Sequence, residues 1–295
     1  MKSTVAVLIP CFNSGKYLKA TVESALAQSF GPLEIIAIND GSQDETQSIL
    51  EGFLPSIRIL THPNNANLGQ AASLNVGIRS STADLIAFLD SDDIWCPDKI
   101  QKQASIIEKH PDVGLVYTNG HVIDENGHVL HSLLPNDFHE GNVVGRMLLN
   151  YYIGAGASSV MVKKAIFEKT GLFNRALQSA DHEMWIRMSE VTKFCYVPEH
   201  LMAYRKHCGQ QSLRRRQWED GFTILRDACQ RYPYGTNIRR KRLAVLHYRL
   251  GEYDWNHGSH LRALCYLIWA GLLDPLRAVQ VLRQGRFVNI DVKRC

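Results

Sequence analysis

Residues 85–95 read "LIAFLDSDDIW". Leu85 to Leu89 form a short apolar run, and three carboxylates, Asp90, Asp92 and Asp93, follow within four positions. An apolar run of this length, bounded by turn residues, reads as a buried strand. One aspartate would end such a strand. Three crowd like charges at one point, so either solvent and a local turn absorb the repulsion or a cation does.

Outward from this stretch, strands alternate with helical segments. Residues 5–10 ("VAVLIP"), 33–39 ("LEIIAIN"), 57–60 ("IRIL") and 113–119 ("VGLVYTN") read as further strands. Between them, residues 17–30, 44–53, 70–81 and 97–110 carry helical spacing. Gly31-Pro32 closes the first, Asp44 is placed to cap the second, and Pro97 starts the last. This alternation predicts right-handed crossovers and an α/β fold: a Rossmann-type, mainly parallel sheet with helices on both faces. Ligands bind such sheets beyond the carboxyl ends of the strands. Three strand ends there are polar: Cys11-Phe12-Asn13, Asn39-Asp40-Gly41-Ser42 and Asp90 to Asp93.

After residue 120 the alternation weakens. Residues 121–130 read as a hairpin around Glu125-Asn126-Gly127, 157–162 as a strand, 163–171 and 182–191 as helices, and 193–198 as a return to the sheet. From residue 213 to 295 helical spacing dominates, which predicts a C-terminal helical extension.

The 295 residues, 45% hydrophobic and 21% charged, allow a sizeable core and one large or two modest domains. Seven dispersed cysteines, an odd number with no C-x-x-C pair, fit a reducing compartment and indicate neither a zinc knuckle nor a redox motif. The opening "MKSTVAVLIPCFN" meets Pro10 and Asn13 too soon for a signal peptide. The apolar run 263–273 has 11 residues, against about 20 for a spanning helix. We therefore expect no transmembrane helix. Charge is uneven. Residues 205–295 carry 18 Lys and Arg against 7 Asp and Glu, a net of +11, whereas residues 1–204 carry 15 against 22, a net of −7. The basic region either faces an anionic partner or consists of solvated helix faces.

Three stretches carry the chemistry. In "DSDD", Asp90 and Asp92 flank one residue, so one carboxylate can face a metal and the other a ribose hydroxyl or a metal-bound water. Magnesium-like ions take one or two carboxylates, waters and substrate phosphate oxygens, which points to a nucleoside diphosphate with its cation. The competing reading is a solvated Asx turn with a helix cap. In "NDGSQDET" (39–46), Asp40 can bond a base or ribose edge and Gly41 lets backbone approach a ligand; a plain tight turn is the alternative. In "NLGQAASLNVGI" (67–78), Gly69 permits close approach and Asn75 can face the same rim, unless that helix face only packs through Ala71, Ala72 and Gly77.

Taken in order, these stretches resemble glycosyltransferase family 2, whose members have the GT-A fold. The resemblance runs along "VLIPCFNSGKYLKATVESALAQSF", "EIIAINDGSQDET", "NLGQAASLNVGI" and "LIAFLDSDDIWCPDKI", and continues in "ADHEMWIRM" and "VPEHLMAYRKHCGQQS". It covers about residues 4–212. It implies a catalytic domain over 1–212, with a nucleotide-sugar half 1–120 and an acceptor half 121–212, and leaves 213–295 outside. It further implies a nucleotide-sugar donor, usually UDP-linked, Mg²⁺ or Mn²⁺ as cofactor, and inversion at the anomeric carbon.

Carried over by residue, Pro10 and Phe12 line the nucleotide pocket, Asp40 contacts the base, Asp90 lies near the ribose, Asp92 binds the metal and Asp93 supports it. His207 is a further metal ligand or phosphate contact, or an ordinary hydrogen-bonded histidine, and Arg214, Arg215 and Arg216 are phosphate or headgroup contacts. Asp181 stands where the family keeps its general base, with Glu183 as a rival and a plain helix cap as the alternative role. Trp185 and Arg187 read as packing and scaffold ion pairing. Two departures are Ala180 in place of the Glu of the family's "ED" pair and Asn39 in place of the first Asp of "DDGS".

The implied acceptor is a glycan, a lipid-linked glycan or a protein, with no nucleic-acid partner. The implied location is cytoplasmic, with peripheral contact on the inner membrane face through the basic C-terminal region. The apolar run 263–273 is read as a packed core helix, with an interfacial helix as the less usual case. Two other functions compete: a metal-dependent nucleotidyltransferase, for which "PCFNSGKY" offers only Gly15 and Lys16, and a non-catalytic sugar-nucleotide or membrane-surface binding module.

Overall fold

A computed structural model describes residues 3–31, 33–134, 138–149, 153, 156–207 and 215–283. The chain divides into two compact units: residues 1–143, 152–176 and 180–207, and residues 144–151, 177–179 and 208–295.

The first unit is built on one nine-stranded sheet whose strands lie in the order Arg58–Thr61, Leu33–Asn39, Val5–Cys11, Leu85–Phe88, Val160–Lys163, Val113–Ile123, Lys193–Arg205 and Ile94–Trp95, with Val129–Ser132 paired to Val113–Ile123. Its first half is wholly parallel: β1 (Val5–Cys11), β2 (Leu33–Asn39), β3 (Arg58–Thr61) and β4 (Leu85–Phe88). Helices α1 (Gly15–Leu26), α2 (Thr46–Glu51) and α3 (Gln70–Ser80) connect them. β1 and β4 are buried along their whole length, the signature of strands covered on both faces.

The second half is mixed. β5 (Ile94–Trp95) leads to α4 (Lys99–Lys109), then β6 (Val113–Ile123) and β7 (Val129–Ser132) form the expected hairpin. β8 (Val160–Lys163) runs antiparallel to both β4 and β6. After α6 (Ile166–Thr170) and α7 (Ala180–Ser189), β9 (Lys193–Arg205) lies parallel to β6.

Among the boundaries that differ from the sequence reading, two bear on the site. β9 continues seven residues beyond Pro198, because the ladder jumps from Thr118↔Val197 to Asn119↔His200. Proline, which cannot donate to a ladder, is absorbed in the bulge, and pairing resumes. α7 starts at Ala180 rather than at 182, which places Asp181 inside its first turn.

The second unit comprises α5 (Val144–Leu149), α8 (Arg216–Arg231), α9 (Thr236–Asn256), α10 (His260–Leu273) and α11 (Pro275–Arg283). Gly251 lets α10 pack closely on α9, since a Cβ there would meet Leu267 at 2.8 Å. Arg215, expected as a phosphate or headgroup contact, is instead taken up by Asp254, with Nε donating to Oδ1 at 3.0 Å, and by Glu219. Arg216 lies 3.9 Å from Asp220. Arg214 lies outside the described residues. The expectation of a packed core helix at 263–273 is also corrected: within α10 only Ala263 and Ala270 are buried. Among the described residues no single helix is long and apolar enough to cross a membrane.

Candidate active site

The register of the parallel strands aligns their carboxyl ends. Cys11 pairs with Asn39, so the loops after β1 and β2 begin level, and the Asp40 N–H donates to Cys11 O at 2.8 Å. β4 ends opposite Leu8, which lays residues 90–93 alongside the loop after β1. There the Ser14 and Ser91 hydroxyls meet at 2.7 Å. Ser14 N–H donates to Thr46 Oγ1 and Asn13 N–H to Ser42 Oγ, binding the three rim loops together. Asp44, expected as a cap, accepts from Thr46 N–H at 3.1 Å and from Gly15 N–H at 2.9 Å.

Pro10 is buried inside β1, opposite Ile38, and Phe12 stands exposed just beyond it. Asp40 is buried and braces the 67–69 loop. Its Oδ1 accepts from Leu68 N–H at 2.7 Å and its Oδ2 from Gly69 N–H at 2.9 Å, with His62 Nε2 at 3.3 Å. Gly41 beside it has φ +73°, and a Cβ there would lie 2.3 Å from the Asn65 carbonyl oxygen, so only glycine closes this turn. Asn75, by contrast, does not reach the rim. Its amide exchanges two 2.9 Å bonds with the backbone of Phe173, and Gly77 packs α3 against Leu8. The packing alternative holds for that helix face.

The three carboxylates of "DSDD" have separate surroundings. Asp90 accepts from Gln70 Nε2 at 2.7 Å, and its N–H donates to Ser158 Oγ at 2.9 Å. Burial, then the nearby charges of Asp92 and Asp181, push its carboxyl up to about 8. Asp92 is partly open, its side chain 27% exposed, and its Oδ2 lies 2.8 Å from His207 Nε2, whose ring is 20% exposed. Asp93 is fully buried, and burial followed by its two acidic neighbours raises its carboxyl well above the usual range. Its Oδ1 accepts from the backbone N–H of Arg205 at 2.9 Å.

Ser158, which accepts from the Asp90 N–H, belongs to the turn Gly156–Ser159 that packs against α7, and the charge of Asp181 in the first turn of α7 contributes to raising the Asp90 carboxyl. Glu183, the rival base, is committed elsewhere: Arg187 clamps both its oxygens, at 2.7 and 2.6 Å, and bonds the Leu172 carbonyl. Trp185 is fully buried against Phe88 and Phe173. Both α7 scaffold residues therefore serve packing and ion pairing. Asp181 sits in the first turn of α7, where its Oδ1 accepts from the His182 N–H at 2.7 Å, a bond to the helix terminus of the kind the cap alternative predicts.

Three contributors escaped the sequence reading. Gln70 and Ser158 hold Asp90, and Arg205 holds Asp92 and Asp93. Arg205 Nε donates to the Asp92 carbonyl at 2.9 Å, while Nη1 donates to the Asp124 and Glu125 carbonyls at 3.2 and 3.1 Å. Its guanidinium lies 4.7 Å from the Tyr17 ring centroid, and His207 packs 5.3 Å from the same ring. The only signal in the chain for Arg205 is its place two residues before His207. Its partners lie about 80 to 113 positions away.

Among the described residues no group of three or more His, Cys, Asp or Glu side chains converges to hold a metal ion. The Asp92–His207 pair offers two donors, one carboxylate and one imidazole, both partly open. That set fits Mn²⁺ or Mg²⁺ as these ions bind with nucleotides, where diphosphate oxygens and water complete the shell.

Residues 6–170 match the family described as glycosyl transferase family 2. The chain belongs to this family. The family match includes Asp40, Asp90 and Asp92, whereas Asp181, Arg205 and His207 lie beyond it. An uncharacterized glycosyltransferase of Rickettsia prowazekii (strain Madrid E) is 30% identical over 211 residues, which cover 70% of this chain and 65% of that relative. The chain thus spans less than two thirds of that relative's length. Among solved structures, S. aureus TarS 1–349 in complex with UDP-GlcNAc is similar with a TM-score of 0.64 at 16% identity, covering 96% of this chain and 92% of that one. The mannosyltransferase PcManGT from Pyrobaculum calidifontis, in complex with GDP-Man and Mn²⁺, is similar with a TM-score of 0.64 at 17% identity, covering 97% and 80%. At these identities the likeness establishes the GT-A fold of this family 2 chain.

Proposed function

We propose that this chain is an inverting glycosyltransferase that moves a sugar from a nucleotide-sugar donor, a UDP-sugar first among candidates, to a hydroxyl of a glycan, lipid-linked or protein acceptor. The observation that carries the proposal is that Asp90 and Asp92 share one strand end, Asp92 beside His207, with α7, the helix of Asp181, packed on the turn that holds Asp90. The nucleotide sugars bound by TarS and PcManGT support the donor class, and the Mn²⁺ of PcManGT supports the cofactor.

In this reading Pro10 and Phe12 border the nucleotide, Asp40 shapes the base-side loop and Asp90 faces the ribose. Asp92 and His207 would hold Mg²⁺ or Mn²⁺. When bound, the metal supplies positive charge for the leaving diphosphate. Asp181 takes the proton from the acceptor hydroxyl as that oxygen attacks the anomeric carbon from the face opposite the diphosphate. Arg205 keeps the Asp92 backbone in place. The basic C-terminal region makes a peripheral membrane contact.

The test is release of nucleoside diphosphate over a donor panel that includes UDP-GlcNAc and GDP-Man, with Mn²⁺ or Mg²⁺. Asp92→Ala should lose metal-dependent donor binding. Asp181→Asn should keep donor KM and lose kcat by about 10²- to 10⁴-fold, the range for a general base. Full turnover by Asp181→Asn would remove it from that role, and release of pyrophosphate instead would favour nucleotidyl transfer.

A further inference from the structure

α10 presents an apolar stripe outward. Leu261, Leu264, Ile268 and Leu272 fall at spacings of 3, 4 and 4, one face of a helix. Leu261 is 84% exposed, and Ile268, Trp269 and Leu272 are each more than half exposed. The opposite face, through Ala263, Leu267 and Ala270, is the one that packs on α9. Leu276, in the first turn of α11, is 79% exposed. Single exposed apolar residues are ordinary, but a continuous run of this size marks an interaction site.

Arginines stand at both ends of the stripe. Arg262 adjoins Leu261 in the first turn and lies beside Asp254. At the other end Arg240 donates to the Leu273 carbonyl and to Asn237 Oδ1, and Arg277 to Gln280 Oε1. The side-chain partners of Arg240 and Arg277 are neutral, and one carboxylate, Asp274, which accepts from the Arg277 backbone N–H, stands at the same end, so two arginines face one aspartate there. The surrounding sequence, residues 205–295, has a net charge of +11.

We infer that this face docks onto an anionic phospholipid surface, α10 lying in the interface with its leucines, isoleucine and tryptophan in the acyl boundary and the arginines among the headgroups. Leucine and tryptophan on one face with arginine at the edges is the composition of interfacial helices. A second copy of the chain fits less well: in a parallel two-fold contact the Arg240 and Arg277 ends would meet each other, and in an antiparallel one they would meet the Arg262 end, which Asp254 neutralises and which offers them no net attraction. Crossing the bilayer does not fit either. α10 has 14 residues, about 21 Å of helix against a hydrocarbon core of about 30 Å, and the α10–α11 pair is bent by 120°.

The inference rests on the peripheral contact proposed above and not on sugar transfer. The test is flotation of the full chain with vesicles of phosphatidylcholine alone or mixed with phosphatidylglycerol. Nucleoside diphosphate release from a soluble donor is measured on the same preparations. The full chain should float with the anionic vesicles and not the neutral ones. Ile268→Ser with Leu272→Ser should weaken binding at least about 10-fold. Arg240→Gln with Arg277→Gln should weaken it about 10- to 30-fold, and high salt should do likewise.

Absence of flotation, or wild-type binding by both double variants, overturns the inference. So does a wild-type oligomer that Ile268→Ser/Leu272→Ser dissociates, which would assign the stripe to a second copy. Retention after alkaline extraction would mean insertion and also overturn it. Failed flotation with intact turnover sinks the docking alone, and flotation without turnover sinks the transferase reading alone.

Discussion

Replacing Arg205 by alanine tests whether the rim is held from β9. Arg205 is 5% exposed, and its side chain donates to three backbone carbonyls, those of Asp92, Asp124 and Glu125. Hydrogen bonds to a charged group contribute about 1.5–3 kcal/mol each, but three bonds to one guanidinium share its desolvation and do not add fully. Leaving the carbonyls unpaired and losing the Tyr17 contact gives an expected destabilisation of about 3–5 kcal/mol. Arg205→Lys keeps the charge without the planar fork and should cost about 1–3 kcal/mol. The main-chain bond from Arg205 N–H to Asp93 survives either change, so β9 should stay paired.

The assay is urea unfolding in a background with Trp218, Trp255 and Trp269 replaced by Phe, followed by the fluorescence of the buried Trp95 and Trp185, both in the first unit, alongside Mn²⁺ titration of donor turnover. Because the Asp92 backbone loses its tether, the Mn²⁺ midpoint should rise about 10-fold, roughly 1.4 kcal/mol, in Arg205→Ala. A loss of stability below about 1 kcal/mol together with an unchanged Mn²⁺ midpoint would refute the reasoning that Arg205 positions the carboxylate loop.

Two other perturbations probe the same rim. Asp90 has its carboxyl raised by burial and by Asp92 and Asp181 to about 8, so the metal-free folded state holds a proton more tightly than the unfolded chain does. Stability from this group is therefore greatest at low pH and is lost as pH rises through about 8. His200 and His247, both lowered by burial, act in the opposite sense. The diagnostic is thus the difference between wild type and Asp90→Asn: in EDTA, the variant should melt relatively higher at pH 8 than at pH 5. A constant difference would count against the burial of that charge. Gly41→Ala, which combines φ +73° with a Cβ 2.3 Å from the Asn65 carbonyl, should cost about 2–4 kcal/mol by thermal or urea melting. A neutral effect would mean that the 39–46 turn is not closed as described.

The sequence by itself determined the alternating first half of the sheet, the three polar strand ends and the family. Buried strands such as "VAVLIP" and "LIAFL" and the helices between them are written in local periodicity, which survives without knowledge of partners. Gly41, Asp44 and the "DSDD" run are turn and cap chemistry over a few residues, and are equally local. What only the tertiary structure decided is which distant groups meet. Asn75 and Gln70 share one helix, yet Asn75 turns to Phe173 and Gln70 to Asp90. Glu183 and Asp181 are two residues apart, and the clamp of Arg187 on Glu183 separates their roles. Arg205 reaches the carboxylate loop because β9 bulges at Pro198 and continues. The exposure of α10 depends on which of its faces α9 covers, and a helix that is apolar on both faces does not state that in its own sequence.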